Sequence, residues 1–156
     1  MTHTVVVTDH DFEDLSVERS VLGDRAKIVE LADDVGDTAD NAAKTFAAAD
    51  AVVNLRYEID ADDIEAMDDV RVIARYGIGV DNVDVDAAAA RDIPVTNVPD
   101  YCLEEVSTHA IALLLSMARS VPRYDRSVAR GEWDRNVGTP IRRFSTQTVG
   151  VVGYGA

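Results

Sequence analysis

Over its first hundred residues the chain repeats one alternation five times, a short apolar run rich in β-branched residues and then a stretch of helical character. Thr4-Val5-Val6-Val7-Thr8 ends at Asp9 and reads as a buried strand; residues 12–22 read as a short helix stopped by Gly23. Residues 26–31 give a second strand, and residues 38–49 an alanine-rich helix with Asp37 or Thr38 as its cap. A third strand at 51–55 precedes a helix at 60–67, whose Asp-Ala-Asp-Asp start suits the positive end of a helix dipole. Residues 70–75 form a fourth strand, 84–91 a helix, and 93–97 a short fifth strand with Pro94 at its start, where a missing N–H is tolerated. Strand and helix alternating with short connections predict an α/β fold with a doubly wound parallel sheet. Continuous rather than alternating apolar strands agree, because such strands are covered on both faces.

Beyond Pro99 the texture changes. Residues 104–120 form one long amphipathic run with Val106, Ala110, Leu113, Leu114 and Met117 on a single face. Pro122 is expected to end it, and a second helix to run from about 123 to 131. Residues 132–145 are polar and irregular around Trp133, and 147–152 read as a strand leading into Gly153-Tyr154-Gly155-Ala156. An apolar run ending in G-x-G is how a dinucleotide-binding strand meets its phosphate loop. The third glycine of that signature, the helix behind it and the acidic ribose-binding residue would all fall after Ala156, so the chain reads as stopping inside the motif.

Charge narrows the partners. Asp plus Glu number 29 against 15 Lys plus Arg, a formal charge of −14, which opposes binding to nucleic acid and to anionic membranes. The acids are spread along the chain, as on a solvated surface. Only Lys27 and Lys44 are lysines, and an Asp-rich, Lys-poor surface suits a halophilic source, where salt screens self-repulsion, with a GC-rich genome the alternative source of the arginine bias. The single cysteine, Cys102, allows no internal disulfide and fits a reducing cytoplasm. No apolar run reaches membrane-spanning length, and the first residues lack the pattern of a signal peptide.

The segment Arg75-Tyr76-Gly77-Ile78-Gly79-Val80-Asp81-Asn82-Val83-Asp84 follows the fourth strand. Glycines at the carboxyl end of a parallel strand let backbone N–H groups approach a ligand, and consecutive exposed N–H groups form an anion-binding nest. Arg75 could add a bidentate clamp on a carboxylate. The plainer alternative is a tight turn that caps the helix at Asp84; two glycines and an arginine coinciding where open sheets bind ligands favour the site. Asp9, Asp11, Glu13 and Asp14 suggest a metal site or a phospho-acceptor pocket, but the third strand ends in Leu55-Arg56 instead of an aspartate, so these acids read as solvated turn and helix N-terminal residues. His109, on the long helix, reads as a packing or hydrogen-bonded residue. No metal site is indicated.

Arg75 to Asp84, Asn97-Val98-Pro99, Glu104-Glu105-Val106-Ser107-Thr108-His109 and the glycines at 150, 153 and 155 occur in order at spacings that resemble the NAD-dependent D-isomer-specific 2-hydroxyacid dehydrogenases. That resemblance covers essentially the whole chain. It implies a flavodoxin-like substrate-binding domain in residues 1–99. It also implies the start of an NAD-binding Rossmann domain in residues 100–156: a crossing helix, a dimerisation helix and loop, and a first strand, truncated. It implies that the backbone at Gly77, Ile78 and Gly79 holds the substrate carboxylate, that Arg75 contacts substrate, and that Cys102 stands where formate dehydrogenases carry a substrate-binding asparagine, which argues against formate. Ile78 and Val106 would lie against the nicotinamide end of NAD, and Gly153, Tyr154 and Gly155 would begin the pyrophosphate loop; NADP is the alternative cofactor. Residues 123–143 would lie at a homodimer interface. The family's catalytic Arg, Glu and His follow the dinucleotide signature, so no catalytic residue is expected here, and the chain alone is expected to be inactive. The function implied is hydride transfer between a nicotinamide cofactor and a D-2-hydroxy acid or 2-oxo acid, phosphoglycerate dehydrogenase-like; the rival is a non-catalytic dimerisation or regulatory module.

Overall fold

A computed structural model describes residues 2–31 and 39–155. The chain divides into two compact units, Met1–Pro99 and Asp100–Ala156.

The first unit is built on a five-stranded parallel sheet in the order β2-β1-β3-β4-β5. Its elements in chain order are β1 (His3–Val7), α1 (Ser16–Leu22) with a 3-10 turn (Gly23–Arg25), β2 (Ala26–Glu30), α2 (Ala39–Ala47), β3 (Ala51–Asn54), α3 (Ala61–Glu65), β4 (Ile73–Arg75), α4 (Val85–Ala90) and β5 (Val95–Thr96). This is the flavodoxin-like order, with a topological switch point between β1 and β3. The apolar runs supply its core: Val6, Val52 and Ile73 from the sheet and Phe46, Ile64 and Met67 from the covering segments are buried together. Both short helices after β3 and β4 start where an aspartate accepts from their first turn, Asp60 from the N–H groups of Asp62 and Asp63, and Asp84 from that of Ala87. The expected fourth strand contracts to three residues because its ladder with β3 opens only at the Val52–Ile73 pair. The proposed caps Asp37 and Thr38 lie outside the described residues.

The second unit holds α5 (Leu103–Ala118), α6 (Val121–Ala129) and a 3-10 turn (Phe144–Thr146). The break between the two helices is set by Ser120 and not by Pro122. Ser120 takes the left-handed conformation (φ 54°), and its hydroxyl donates to the Gly138 carbonyl at 2.9 Å. Pro122 sits in the first turn of α6, where its fixed φ fits and its missing N–H costs nothing. Apolar side chains are exposed on more of α5 than the one predicted face, Ile111 and Leu115 among them, and His109 is exposed, with no side-chain hydrogen bond to a described residue, instead of packed. Residues 147–152, expected as a strand, have no ladder partner among the described residues and expose Val149, Val151 and Val152. A strand is defined by its pairing, so an apolar run without a neighbour stays a single extended segment. Among the described residues no helix is long and apolar enough to cross a membrane.

Candidate functional site

The carboxyl edge of the parallel sheet gathers a polar network from three strands. Asn54 closes β3 as a fully buried amide at the end of an otherwise apolar strand. Its Nδ2 donates to the Thr8 hydroxyl (3.0 Å) and the Tyr57 carbonyl (2.9 Å), while its Oδ1 accepts from Asn82 Nδ2 (3.1 Å) and from Arg75 Nη1. Asn82 also donates to the Tyr57 carbonyl at 2.8 Å, tying the loop after β4 to the loop after β3.

At the switch point the crevice is filled by the chain itself. Asp9, just past β1, accepts the N–H groups of Leu55 (3.2 Å), Arg56 (2.8 Å) and Tyr57 (3.1 Å), and the Thr8 hydroxyl at 2.8 Å. Burial pushes the Asp9 carboxyl up, but those backbone and hydroxyl donors outweigh it and hold its pKa below the ordinary carboxylate range. Asp9 is therefore no solvated turn acid: it occupies the anion nest at the end of β3. Asp11 pairs with both Nη atoms of Arg56. Phe12 meets the Tyr76 ring edge-on at 5.1 Å, and the Tyr76 hydroxyl donates to Glu18 at 2.9 Å. Burial first, and then that carboxylate, raise the Tyr76 pKa, so the ring stays neutral.

One set of N–H groups is left unfilled. In the loop after β4 the carbonyl of Gly77 accepts from the Val98 N–H (3.0 Å), that of Ile78 from Asn97 Nδ2 (2.8 Å) and that of Gly79 from Arg75 Nε (2.9 Å). All three carbonyls are thus engaged, and the N–H groups of Gly77, Ile78 and Gly79 donate to no described residue. Native backbone donors that are not bonded to protein are bonded to water or ligand. Arg75 lies beneath this loop, 8% exposed. Its Nη1 donates to Asn54 Oδ1 and the Leu55 carbonyl, and it forms no ion pair among the described residues. A buried guanidinium held only by neutral acceptors keeps its positive charge unspent.

The structure therefore brings four of the predicted site residues, Arg75, Gly77, Ile78 and Gly79, to one place. Arg75 Nε and Nη1 are occupied in shaping the loop, and its Nη2 lies 3.6 Å from where a Cβ on Gly77 would stand. In the second unit Cys102 precedes α5, and its carbonyl accepts the N–H of Val106, whose side chain is exposed one turn on. A hydrogen bond with the Cys102 thiol raises the pKa of Tyr101. Gly153 adopts a left-handed φ of 85°, and nothing lies within 4 Å of a Cβ placed there or on Gly155; Tyr154 between them is exposed. No cluster among the described residues has the composition of a metal site. Sequence reasoning passed over Asn54 and Asn82. The readable signal was an amide ending the apolar run Ala-Val-Val-Asn, because a buried polar group at the carboxyl end of a parallel strand is retained only with partners.

Residues 5–150 match the family described as D-isomer specific 2-hydroxyacid dehydrogenase, catalytic domain. The chain is 42% identical over 106 residues to a D-3-phosphoglycerate dehydrogenase of Archaeoglobus fulgidus, an alignment covering 67% of this chain and 20% of that protein. It is 39% identical over 113 residues to a glyoxylate reductase of Pyrococcus furiosus, covering 68% and 34%. In fold it is similar to the crystal structure of a D-lactate dehydrogenase from Aquifex aeolicus complexed with NAD and lactic acid (TM-score 0.74, 21% identity, 88% of this chain and 40% of that one). The matched part of the chain thus spans a fifth to a third of the length of these two curated relatives.

Proposed function

The chain belongs to the D-isomer-specific 2-hydroxyacid dehydrogenase family, and from that premise we propose that it serves an NAD-dependent oxidoreductase acting on a D-2-hydroxy acid or its 2-oxo acid. The observation that carries the reading is the loop after β4, where three consecutive N–H groups without acceptors among the described residues lie above a buried guanidinium that pairs with no described carboxylate. A carboxylate seated there accepts from the N–H groups of Gly77, Ile78 and Gly79, and Arg75 supports it from below through charge rather than through a direct fork. Fixing the carboxylate fixes the neighbouring C2, the carbon that gains or loses hydride.

NAD supplies the hydride acceptor when bound. The second unit offers it a fitting turn. Gly153 holds a conformation that side chains resist and has open space around it, as a backbone approached closely by a pyrophosphate requires. Ile78 and Val106 present exposed apolar side chains suited to a nicotinamide ring, and NADP is the alternative. The exposed apolar residues of α5 and α6, with Trp133 beyond them, support a homodimer and, as a second reading, a dimerisation or regulatory role. A cytoplasmic setting fits the lone thiol.

Titration of the 15N-labelled chain with pyruvate tests the loop. The amide resonances of Gly77, Ile78 and Gly79 are expected to shift together and to saturate. Saturation confined to other residues removes the carboxylate site and, with it, the reading.

A further inference from the structure

The end of β4 provides one unpaired positive charge, and among the described residues of the loops after β1, β3 and β4 every other charge is negative or already paired. Arg75 is that charge. The Asp81 carboxylate lies 3.4 Å from where a Cβ on Gly79 would stand, so an acid already borders the N–H groups. The loop after β1 adds Asp9 and Asp11, and α1 adds Glu18, committed respectively to the backbone at 55–57, to Arg56 and to the Tyr76 hydroxyl. Arg56 is the exposed cation at the end of β3, and Asp11 neutralises it through both Nη atoms. Arg19 and His10 share Glu30, at 2.9 Å and 3.6 Å.

The uncharged surface beside the loop is apolar and aromatic. Phe12 is half exposed and rests edge-on against Tyr76, the residue that precedes Gly77. Ile78 and Val98 each leave a comparable share of their side chains open. Such a rim favours a hydrocarbon group that can be withdrawn from water. It gives nothing to a phosphate, which needs paired cations or further N–H groups to replace its hydration.

Resting on the reading of this loop as the substrate-carboxylate site, we infer that the substrate is a 2-hydroxy or 2-oxo acid bearing a single negative charge and an uncharged, apolar side chain, in contrast to the phosphorylated acid named for the Archaeoglobus fulgidus relative. One carboxylate is matched by Arg75. A phosphate would add about −1.5 to −2 further charge beside Asp81, Asp9 and Asp11, and among the described residues the loops after β1, β3 and β4 hold no cation without a carboxylate partner to meet it.

Two acids that share the 2-oxocarboxylate head and differ in the rest test this: 4-methyl-2-oxopentanoate and 3-phosphohydroxypyruvate, titrated into the 15N-labelled chain at one ionic strength. The amides of Gly77, Ile78 and Gly79 are expected to report a dissociation constant at least about tenfold lower for the apolar acid, the scale on which a pocket separates side chains. The exposed variant Asp11→Asn frees Arg56. It is expected to tighten the phosphorylated acid several-fold, as removal of a competing carboxylate does, and to leave the apolar acid unchanged. Equal or tighter binding of the phosphorylated acid to the unsubstituted chain overturns the inference and leaves the proposed function standing. If neither acid shifts the three amides, the proposed function itself falls.

Discussion

Replacing Asp9 with asparagine probes the device that closes the switch-point crevice. The carboxylate takes the N–H groups of Leu55 and Tyr57 and the Thr8 hydroxyl on Oδ1, and the N–H of Arg56 on Oδ2. Asparagine keeps one accepting oxygen and turns its NH2 toward at least one of those donors, so one charge-assisted bond is lost outright and the others weaken. Bonds to a charged group contribute about 1.5–3 kcal/mol each. Water reaches this partly exposed site and returns some of that, so a destabilisation of about 2 kcal/mol is expected at neutral pH. The pH dependence has a definite sign. The folded-state pKa of Asp9 is depressed, so its contribution is fully present above the unfolded-state value of about 3.9 and is lost as pH falls through the lower folded-state value. The difference between parent and variant should hold steady from pH 7 to about 5 and shrink below about 4. Urea unfolding followed by circular dichroism at pH 7, 5 and 3 in one salt measures it, and protonation of the other acids cancels in the difference. A gap below about 0.5 kcal/mol at pH 7, within the scatter of ordinary surface changes, or a gap as large at pH 3 as at pH 7, would refute the reasoning.

Three further outcomes follow from particular contacts. Arg75→Lys keeps the charge but cannot reach the Gly79 carbonyl, Asn54 and the Leu55 carbonyl at once; a loss of about 2 kcal/mol in urea unfolding, with weaker 2-oxo-acid binding, is expected. Gly138→Ala puts a Cβ 2.4 Å from Tyr124 Cε2 and 2.9 Å from Ser120 Cβ, against a ring held by its hydroxyl bond to the Arg135 carbonyl at 2.8 Å; thermal unfolding should report about 1–3 kcal/mol of destabilisation from overpacking. With a formal charge of −14, the chain should gain thermal stability between about 0.1 M and 1 M salt, as the screening length falls from about 10 Å to about 3 Å; a melting temperature that drops over that range contradicts the halophilic reading.

Five strands, their order of appearance and the helices between them were legible in the sequence, because a parallel sheet covered on both faces writes itself as continuous apolar runs. The loop at 75–84 was legible as a loop at a strand end, since its glycines mark a turn and Asp84 caps the helix behind it. The misses share one cause, dependence on a distant partner. Asp9 looks like any acid after a strand until its three N–H donors arrive from 46 to 48 residues away. Ser120 breaks the helix by adopting a conformation that non-glycine residues seldom take, held by a bond to Gly138, and Pro122 beside it drew the boundary two residues too late. The run at 147–152 has the composition of a strand, and composition does not record whether a neighbour is there to pair with it.

Two runs of backbone N–H groups in the first unit differ in whether the chain answers them. Both stand at the carboxyl edge of the sheet, and both consist of backbone N–H groups following a parallel strand. At β3 the nest is answered from within by Asp9, whose depressed pKa keeps it ionised and in place at neutral pH. At β4 the carbonyls are answered by Val98, Asn97 and Arg75, and the N–H groups by nothing in the described chain. The carboxylate of Asp9 is thus the chemistry that satisfies the first set, and the proposed function extends it to the second. Asp9 occupies the crevice at the switch point, where an open sheet of this order otherwise binds its ligand. Arg75 links the two, with Nη1 on the Leu55 carbonyl behind the filled nest and Nε on Gly79 at the open one. Loosening the first should therefore misalign the second, and Asp9→Asn should weaken 2-oxo-acid binding although Asp9 itself is committed to the β3 loop.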